Sequence, residues 1–193
     1  LEAGYSPNDI VNDEQITINL PGSNSWIPKN YSNTFSGEVT LTKAFSESLN
    51  IPAVKISEAV GRTSVSELGK KFGLLSDPTN GPAIALGTSE ATLLDLVGAY
   101  ATILNHGTKV EPFGWEKLQL KKNKNEILMG KSERPNMRVV NQETAQDLIF
   151  MMSEVTKNGT GKRAKFPDWE IAGKTGTSQS ARDAWFIGFS KYY

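Results

Sequence analysis

The chain has 193 residues, 38% of them apolar and 22% charged, with 21 basic side chains matched by 21 acidic ones. This is an ordinary globular composition, long enough for a substantial core, and its zero net charge provides no field to gather nucleic acid or an anionic membrane surface. Cysteine is absent and His106 is the single histidine; this excludes disulfides and thiolate metal sites, and it argues against a Ser-His-Asp triad or a histidine metal centre. No stretch is apolar for long enough to span a membrane, and no signal peptide opens the chain.

Leu1-Glu-Ala-Gly-Tyr5 reads as the last turn of a helix with its glycine stop, so the start of the chain looks like a cut. Residues 5–39 are rich in Asn, Ser, Pro and Gly, with short apolar pieces such as Ile16-Thr-Ile-Asn-Leu20; they read as an extended, loop-rich surface segment. Thr40 is placed to cap a helix through Leu41, Ala44, Phe45 and Ser48. Asn50-Ile-Pro52 interrupts it, and a second helix starts near Pro52, carries Val54, Ile56 and Val60, and closes at Gly61. A short helix follows from Ser64 to Phe72, ended by Gly73.

The clearest helix runs from Thr92 to Asn105. Thr92 stands three residues before Asp95, a variant of the capping box, and Leu93, Leu96, Val97, Tyr100, Ile103 and Leu104 form one apolar face. His106 sits at its C-terminus, where an imidazole interacts favourably with the helix dipole. Lys117-Leu-Gln-Leu-Lys121 and Glu126-Ile-Leu-Met129 read as a hairpin with Lys122-Asn-Lys-Asn125 as its polar tip. Asn141 opens a helix through Ala145, Leu148, Ile149, Met152 and Val155 that ends at Asn158-Gly159. Gly159-Thr-Gly-Lys-Arg163 is a solvated basic turn, to which Lys165 adds charge. Two strands, Trp169 to Thr175 and Ala184 to Ser190, flank a turn at 178–182, with Trp185 and Phe186 expected in the core; Lys191-Tyr-Tyr193 stops without a close.

Two short motifs carry chemistry. Lys174-Thr175-Gly176-Thr177 lies on the first of those strands, where Thr175 and Thr177 share a face and Lys174 points to the other, able to act by reaching around the strand edge or through its charge. Gly176 lets an acyl group lie close to the backbone, the Thr177 N–H can point at a developing oxyanion, and the two hydroxyls with the ammonium can bind a carboxylate. Ser48-Leu49-Asn50 lies at a helix break that exposes both polar side chains. A serine there can relay a proton to a leaving amine, and an asparagine can donate to a peptide-like substrate and accept from a lysine. Each motif alone also has a plain structural reading. Ser and Asn favour helix ends for capping, and threonines favour strands. Asn30-Tyr-Ser32 and Asn158-Gly-Thr160 match the glycosylation acceptor pattern.

Taken together, Ser48-Leu49-Asn50 and Ile171-Ala-Gly-Lys-Thr-Gly-Thr-Ser-Gln179 resemble two of the three signatures of the penicillin-binding proteins and serine β-lactamases, S-x-N and K-T-G. The surrounding stretches extend the likeness to the transpeptidase domain of class A penicillin-binding proteins: Leu41-Thr-Lys-Ala-Phe-Ser-Glu-Ser-Leu-Asn-Ile-Pro-Ala-Val54, then Ala85-Leu-Gly-Thr-Ser-Glu-Ala-Thr-Leu-Leu-Asp-Leu-Val-Gly-Ala-Tyr-Ala101, then Asn158-Gly-Thr-Gly-Lys-Arg-Ala164, and Arg182-Asp-Ala-Trp-Phe-Ile-Gly188 after the K-T-G strand. The resemblance implies an α+β transpeptidase fold, an antiparallel sheet flanked by helices and incomplete at both ends of this chain. Residues 1–193 would be a single partial domain, helical over roughly 40–160 and sheet over roughly 165–193.

It further implies a peptidoglycan D,D-transpeptidase that works through a serine acyl-enzyme, with stem peptides and β-lactams as its partners and no cofactor or metal. Ser48, Asn50 and Lys174 would be catalytic and Thr175, Gly176 and Thr177 would bind substrate. The parent would act on the outer face of the cytoplasmic membrane, anchored through upstream segments, with a glycosyltransferase domain in class A members. One signature is missing: no serine here has a lysine three residues later, so S-x-x-K, the nucleophile's motif, would lie upstream of Leu1. Alternatives are a D,D-carboxypeptidase or β-lactamase-like hydrolase, in which water replaces the acceptor amine, and a non-catalytic binding or scaffold module of the same fold.

Overall fold

The computed structural model of the chain describes residues 1–20, 22, 24–74, 81–114, 117–119, 127–130, 137–178 and 183–190. The expected hairpin tip at 122–125, the turn residues 179–182 and the tail 191–193 lie outside the described residues. Among the described residues, the strands form three separate two-stranded antiparallel sheets, β1–β2, β3–β4 and β5–β6.

The 5–39 segment is more ordered than its composition suggests. β1 (Ile10–Asp13) pairs with β2 (Gly37–Thr40), with Val11 opposite Val39 and Asp13 opposite Gly37. Val11, Asp13 and Val39 are buried. Four-residue strands embedded in Asn- and Ser-rich chain carry too few alternations to stand out from a loop. α1 (Leu41–Ser46) follows directly, capped by the Thr40 hydroxyl, which accepts from the Lys43 N–H at 3.1 Å.

α2 (Asn50–Val60) and α3 (Arg62–Lys71) meet at Gly61, whose φ of 89° suits glycine alone among the common residues. α3 begins two residues before the expected Ser64. The Arg62 guanidinium grips the Glu58 carboxylate of α2 at 2.6 and 2.7 Å and so joins the first turn of α3 to the last turn of α2. A 3-10 helix (Pro82–Leu86) leads to α4 (Leu93–Leu104). The capping box is present: Asp95 N–H donates to the Thr92 hydroxyl, and Thr92 N–H donates to the Asp95 carboxylate.

The buried face of α4 differs from the apolar stripe expected of it. Of that stripe Ile103 is buried and Tyr100 packs against the same core cluster, whereas Leu93, Val97 and Leu104 are exposed; Gly98, Ala99 and Thr102 are buried beside Ile103. Small residues win because the 108–112 segment lies close against the helix. Gly98 sits under Pro112, and the Thr102 hydroxyl bridges the Gly98 carbonyl and the Val110 N–H. His106 follows in the left-handed region at φ 52°, and its carbonyl accepts from Arg138.

β3 (Lys117–Gln119) and β4 (Ile127–Gly130) form the expected hairpin arms. α5 (Gln142–Lys157) is capped by Asn141 and organises the core. Met151 joins Val11, Val39, Leu41 and Ala44; Met152 joins Ile103, Ala172 and Phe189; Ala145 joins Val139 and Val140. After α5 a 3-10 turn (Lys162–Ala164) leads to β5 (Ile171–Thr177), which pairs along its full length with β6 (Ala184–Ser190). No helix among the described residues is long and apolar enough to cross a membrane.

Trp185 and Phe186 are not core residues. They are 55% and 37% exposed: Trp185 shares the face of Phe189 but lies four residues away along β6, and Phe186 points to the opposite face. The Phe186 ring lies instead over the backbone of Gly173 and Gly188, where any side chain would collide with it.

Candidate active site

The site begins with the way α1 stops. Ser48 N–H donates to the Phe45 carbonyl at 3.1 Å and Leu49 N–H to the Ala44 carbonyl at 2.9 Å. This is the pair of bonds of a Schellman motif, with Ser48 in the position that glycine usually takes. Ser48 holds φ 57° there. A left-handed serine costs on the order of 1 kcal/mol relative to glycine, a local strain of the kind that clusters at functional sites. The strained turn ends α1 two residues short of Ser48 and presents the hydroxyl beyond the helix.

The hydrogen-bond ladder decides what β5 presents. Ser178 N–H donates to the Asp183 carbonyl at 3.0 Å, just beyond the Thr177–Ala184 pair. Antiparallel ladders alternate, so Gly176 and Lys174 direct their backbone groups toward β6, while Ile171, Gly173, Thr175 and Thr177 direct theirs to the opposite edge. Two contacts agree: the Thr156 hydroxyl donates to the Ile171 carbonyl at 2.5 Å and the Lys174 ammonium to the Thr175 carbonyl at 3.0 Å. The Thr177 N–H therefore faces the edge that β6 does not cover. A Cβ on Gly176 would meet nothing within 4 Å, so the strand is open beside it.

At that edge the two motifs meet. The Lys174 ammonium curls round its own strand and donates to the Ser48 hydroxyl at 2.8 Å, across 126 residues of sequence. It also lies 5.7 Å from the centre of the Phe45 ring. Burial disfavours the charged form and lowers the Lys174 pKa to about 8. The ammonium remains the main form at neutral pH, with a neutral fraction of about a tenth.

Asn50 is the first residue of α2, and its carboxamide donates to the Lys29 carbonyl at 2.7 Å. The Lys174 ammonium is engaged with Ser48 and Thr175, and Asn50 Oδ1 makes no hydrogen bond among the described residues. Asn50 is held in place from a distance. α2 has no side-chain cap of its own. Asn30 Oδ1 takes that role, accepting from Asn50 N–H at 2.9 Å and Ile51 N–H at 3.3 Å. Its amide nitrogen donates to both Asp13 carboxylate oxygens, at 2.8 and 2.9 Å, and to the Thr34 carbonyl.

Asp13 is 0% and Asn30 is 4% exposed, so the Asn30 glycosylation pattern marks a buried structural amide rather than a glycan acceptor. Replacing Asn30 by Ala leaves the buried Asp13 carboxylate without this donor and α2 without its cap. A loss of about 2–3 kcal/mol in urea unfolding is expected; a change below about 0.5 kcal/mol would show that neither bond matters to stability.

Sequence reading also missed Thr160, which bonds Thr175 at 2.6 Å and Ser46 at 3.0 Å. Neither Asn30 nor Thr160 has a local signal beyond its place in a polar turn. Their partners are far off in sequence.

Similarity to known proteins follows the same outline. A family profile described as the penicillin binding protein transpeptidase domain matches residues 1–192. Penicillin-binding protein 1A of Rickettsia prowazekii is 34% identical over 98% of this chain, which spans 27% of that protein. The crystal structure of penicillin-binding protein 1A from Haemophilus influenzae superimposes on 98% of this chain, and on 34% of its own, with TM-score 0.87 and 26% identity. Penicillin-binding protein A of Mycobacterium tuberculosis, solved as an imipenem acyl-enzyme, shares the fold over 97% of this chain and 47% of its own, with TM-score 0.80 and 24% identity.

Proposed function

This chain belongs to the penicillin-binding protein transpeptidase domain family, and on that premise we propose that it forms the S-x-N and K-T-G walls of a serine D,D-transpeptidase acting on peptidoglycan stem peptides. The contact between Lys174 Nζ and Ser48 Oγ at 2.8 Å carries the reading. A lone K-T-G strand needs no such partner, and a lone S-x-N turn would gain stability from glycine at Ser48.

In this reading residues 1–193 are part of one transpeptidase domain, with helices over roughly 40–160 and sheet over roughly 165–193. A serine and lysine of the S-x-x-K motif, outside this sequence, complete the site. The serine attacks the carbonyl of the D-Ala-D-Ala bond as the S-x-x-K lysine, in its neutral form, takes its proton. The Thr177 N–H, aimed at the uncovered edge, stabilises the oxyanion, and Gly176 leaves room for the acyl group. The hydroxyls of Thr175 and Thr177, with the nearby Lys174 charge, hold the terminal carboxylate. Ser48 accepts a hydrogen bond from Lys174, so it can pass its own proton to the departing amine while the Lys174 ammonium gives Ser48 a proton in its place. Asn50, whose oxygen has no partner among the described residues, receives the substrate's peptide N–H. D-Ala leaves, and an amine of a neighbouring strand takes the acyl group. The reaction would occur outside the cytoplasmic membrane, where stem peptides are, and β-lactams would acylate the same serine.

Intact-mass spectrometry after incubation with penicillin tests this directly. A longer form of the protein that carries the S-x-x-K segment is expected to gain one penicilloyl group, and the 193-residue chain none. No adduct on the longer form would remove the acyl-transfer reading and leave the non-catalytic binding module. A stoichiometric adduct on the short chain would place the nucleophile within it.

A further inference from the structure

The turn at Gly159-Thr160-Gly161 touches both halves of the site. Thr160 N–H donates to the Ser46 carbonyl at 3.0 Å, at the last residue of α1 and two residues before Ser48. Gly159 is pressed so closely on that carbonyl that a Cβ there would collide with it. On its other side the Thr160 hydroxyl lies 2.6 Å from the Thr175 hydroxyl of β5. The turn therefore fastens the end of α1, which leads into Ser48, to the strand that bears Lys174.

Either hydroxyl could donate to the other, and distance favours one direction. Each hydroxyl has one proton to give and can accept two. The other acceptor open to the Thr160 hydroxyl, the Ser46 carbonyl, stands 3.4 Å away, beyond the usual O–H···O range, so the 2.6 Å contact takes the Thr160 proton to Thr175. With the Thr160 proton on Thr175, the Thr175 hydroxyl keeps its own proton for a third group. The opposite arrangement would spend the Thr175 proton on Thr160 and present only lone pairs to an anion.

We propose that Thr160 is a positioning residue for carboxylate recognition: its hydroxyl donates to Thr175 and thereby turns the Thr175 O–H toward the anionic end of the substrate. Thr160 does not touch substrate. It polarises and aims the group that does, as chained hydrogen bonds do. The inference rests on the transpeptidase reading above, in which Thr175 binds that carboxylate.

The test measures second-order acylation of the longer, S-x-x-K-bearing protein by penicillin and by its methyl ester, which lacks the negative charge. Thr160→Val is expected to slow acylation by penicillin roughly ten- to hundredfold, the worth of one charge-assisted hydrogen bond. The ester rate should fall by less than about threefold, since a neutral ester has little need of the aimed donor. Thr160→Ser, which keeps the hydroxyl, should recover most of the loss, and Thr160→Ala replaces the valine variant if that fails to fold. Equal slowing of acid and ester would make Thr160 a structural clasp only and overturn the proposal. So would unchanged penicillin kinetics. An unreactive unsubstituted protein would instead overturn the transpeptidase reading, and this inference with it.

Discussion

Lys174→Met is expected to make the protein more stable and nearly inert. The two effects share one cause. Burial holds the Lys174 pKa at about 8, below the usual lysine value, so the fold pays to keep this group charged at neutral pH. Methionine fills similar space with no charge to desolvate. At pH 7 the variant should gain about 1–3 kcal/mol in thermal or urea unfolding. The sign follows from proton binding. Between pH 8 and the unfolded value near 10.4, the unfolded chain binds more protons than the folded one, so the parent protein stabilises as pH rises through that window. The methionine variant does not, and its advantage should be full below pH 8 and gone above about pH 10.5. A stability difference independent of pH would show that the lysine enters the fold without desolvation cost. Activity moves the other way. Losing the ammonium removes the donor to Ser48 and the charge beside the carboxylate site, and penicillin acylation of the serine-bearing protein should drop about 10²–10³-fold.

Ser48→Gly should separate backbone from side chain in the same way. Glycine suits φ 57° in the Schellman position better than serine does, so relief of about 1 kcal/mol is expected in unfolding experiments. The hydroxyl that receives the Lys174 ammonium is lost, and with it, in the transpeptidase reading, the proton path to the leaving amine. Acylation should fall by about two orders of magnitude or more, within the usual range for a general acid–base group. Ser48→Ala keeps the strain and loses the hydroxyl, so it should be as slow as the glycine variant but less stable. If glycine were no more stable than alanine, the turn would not be strained at Ser48. If either kept near-parent acylation, Ser48 would not carry a proton.

Much of the local structure around the candidate site is legible in the sequence. Thr40, Thr92 and Asn141 were readable as caps because capping joins residues only three apart. β6 was placed at Ala184–Ser190, and α5 ended where Asn158-Gly159 stop it, since strand patterning and helix stops are also local. The exposed helix break at Ser48-Leu49-Asn50 followed from the same kind of signal. Where burial departs from local pattern, contacts distant in sequence are the cause. Ile103 and Tyr100 of the α4 stripe reach the core, but beside them the close approach of residues 108–112 selects small side chains over Leu93, Val97 and Leu104. Trp185 and Phe186 are aromatic and would fill a core, but Trp185 lies four residues along β6 from the buried Phe189 and Phe186 points to the opposite face of the sheet. Asn30 sits in a surface-like sequence and is buried because Asp13, Asn50 and Ile51 converge on it from 17 to 21 residues away.

The amino-acid sequence by itself determined which chemical groups are available, the two motifs that hold them, and the local elements that display them, because each depends on neighbours a few residues apart. Only the tertiary structure decided that Lys174 bends round its strand to Ser48, that the Thr177 N–H faces the uncovered edge, that Asn30 caps α2, and that Thr160 ties α1 to β5. Those outcomes depend on strand register and on contacts between residues 15 to 126 positions apart, and no local preference of the chain encodes a distance through space.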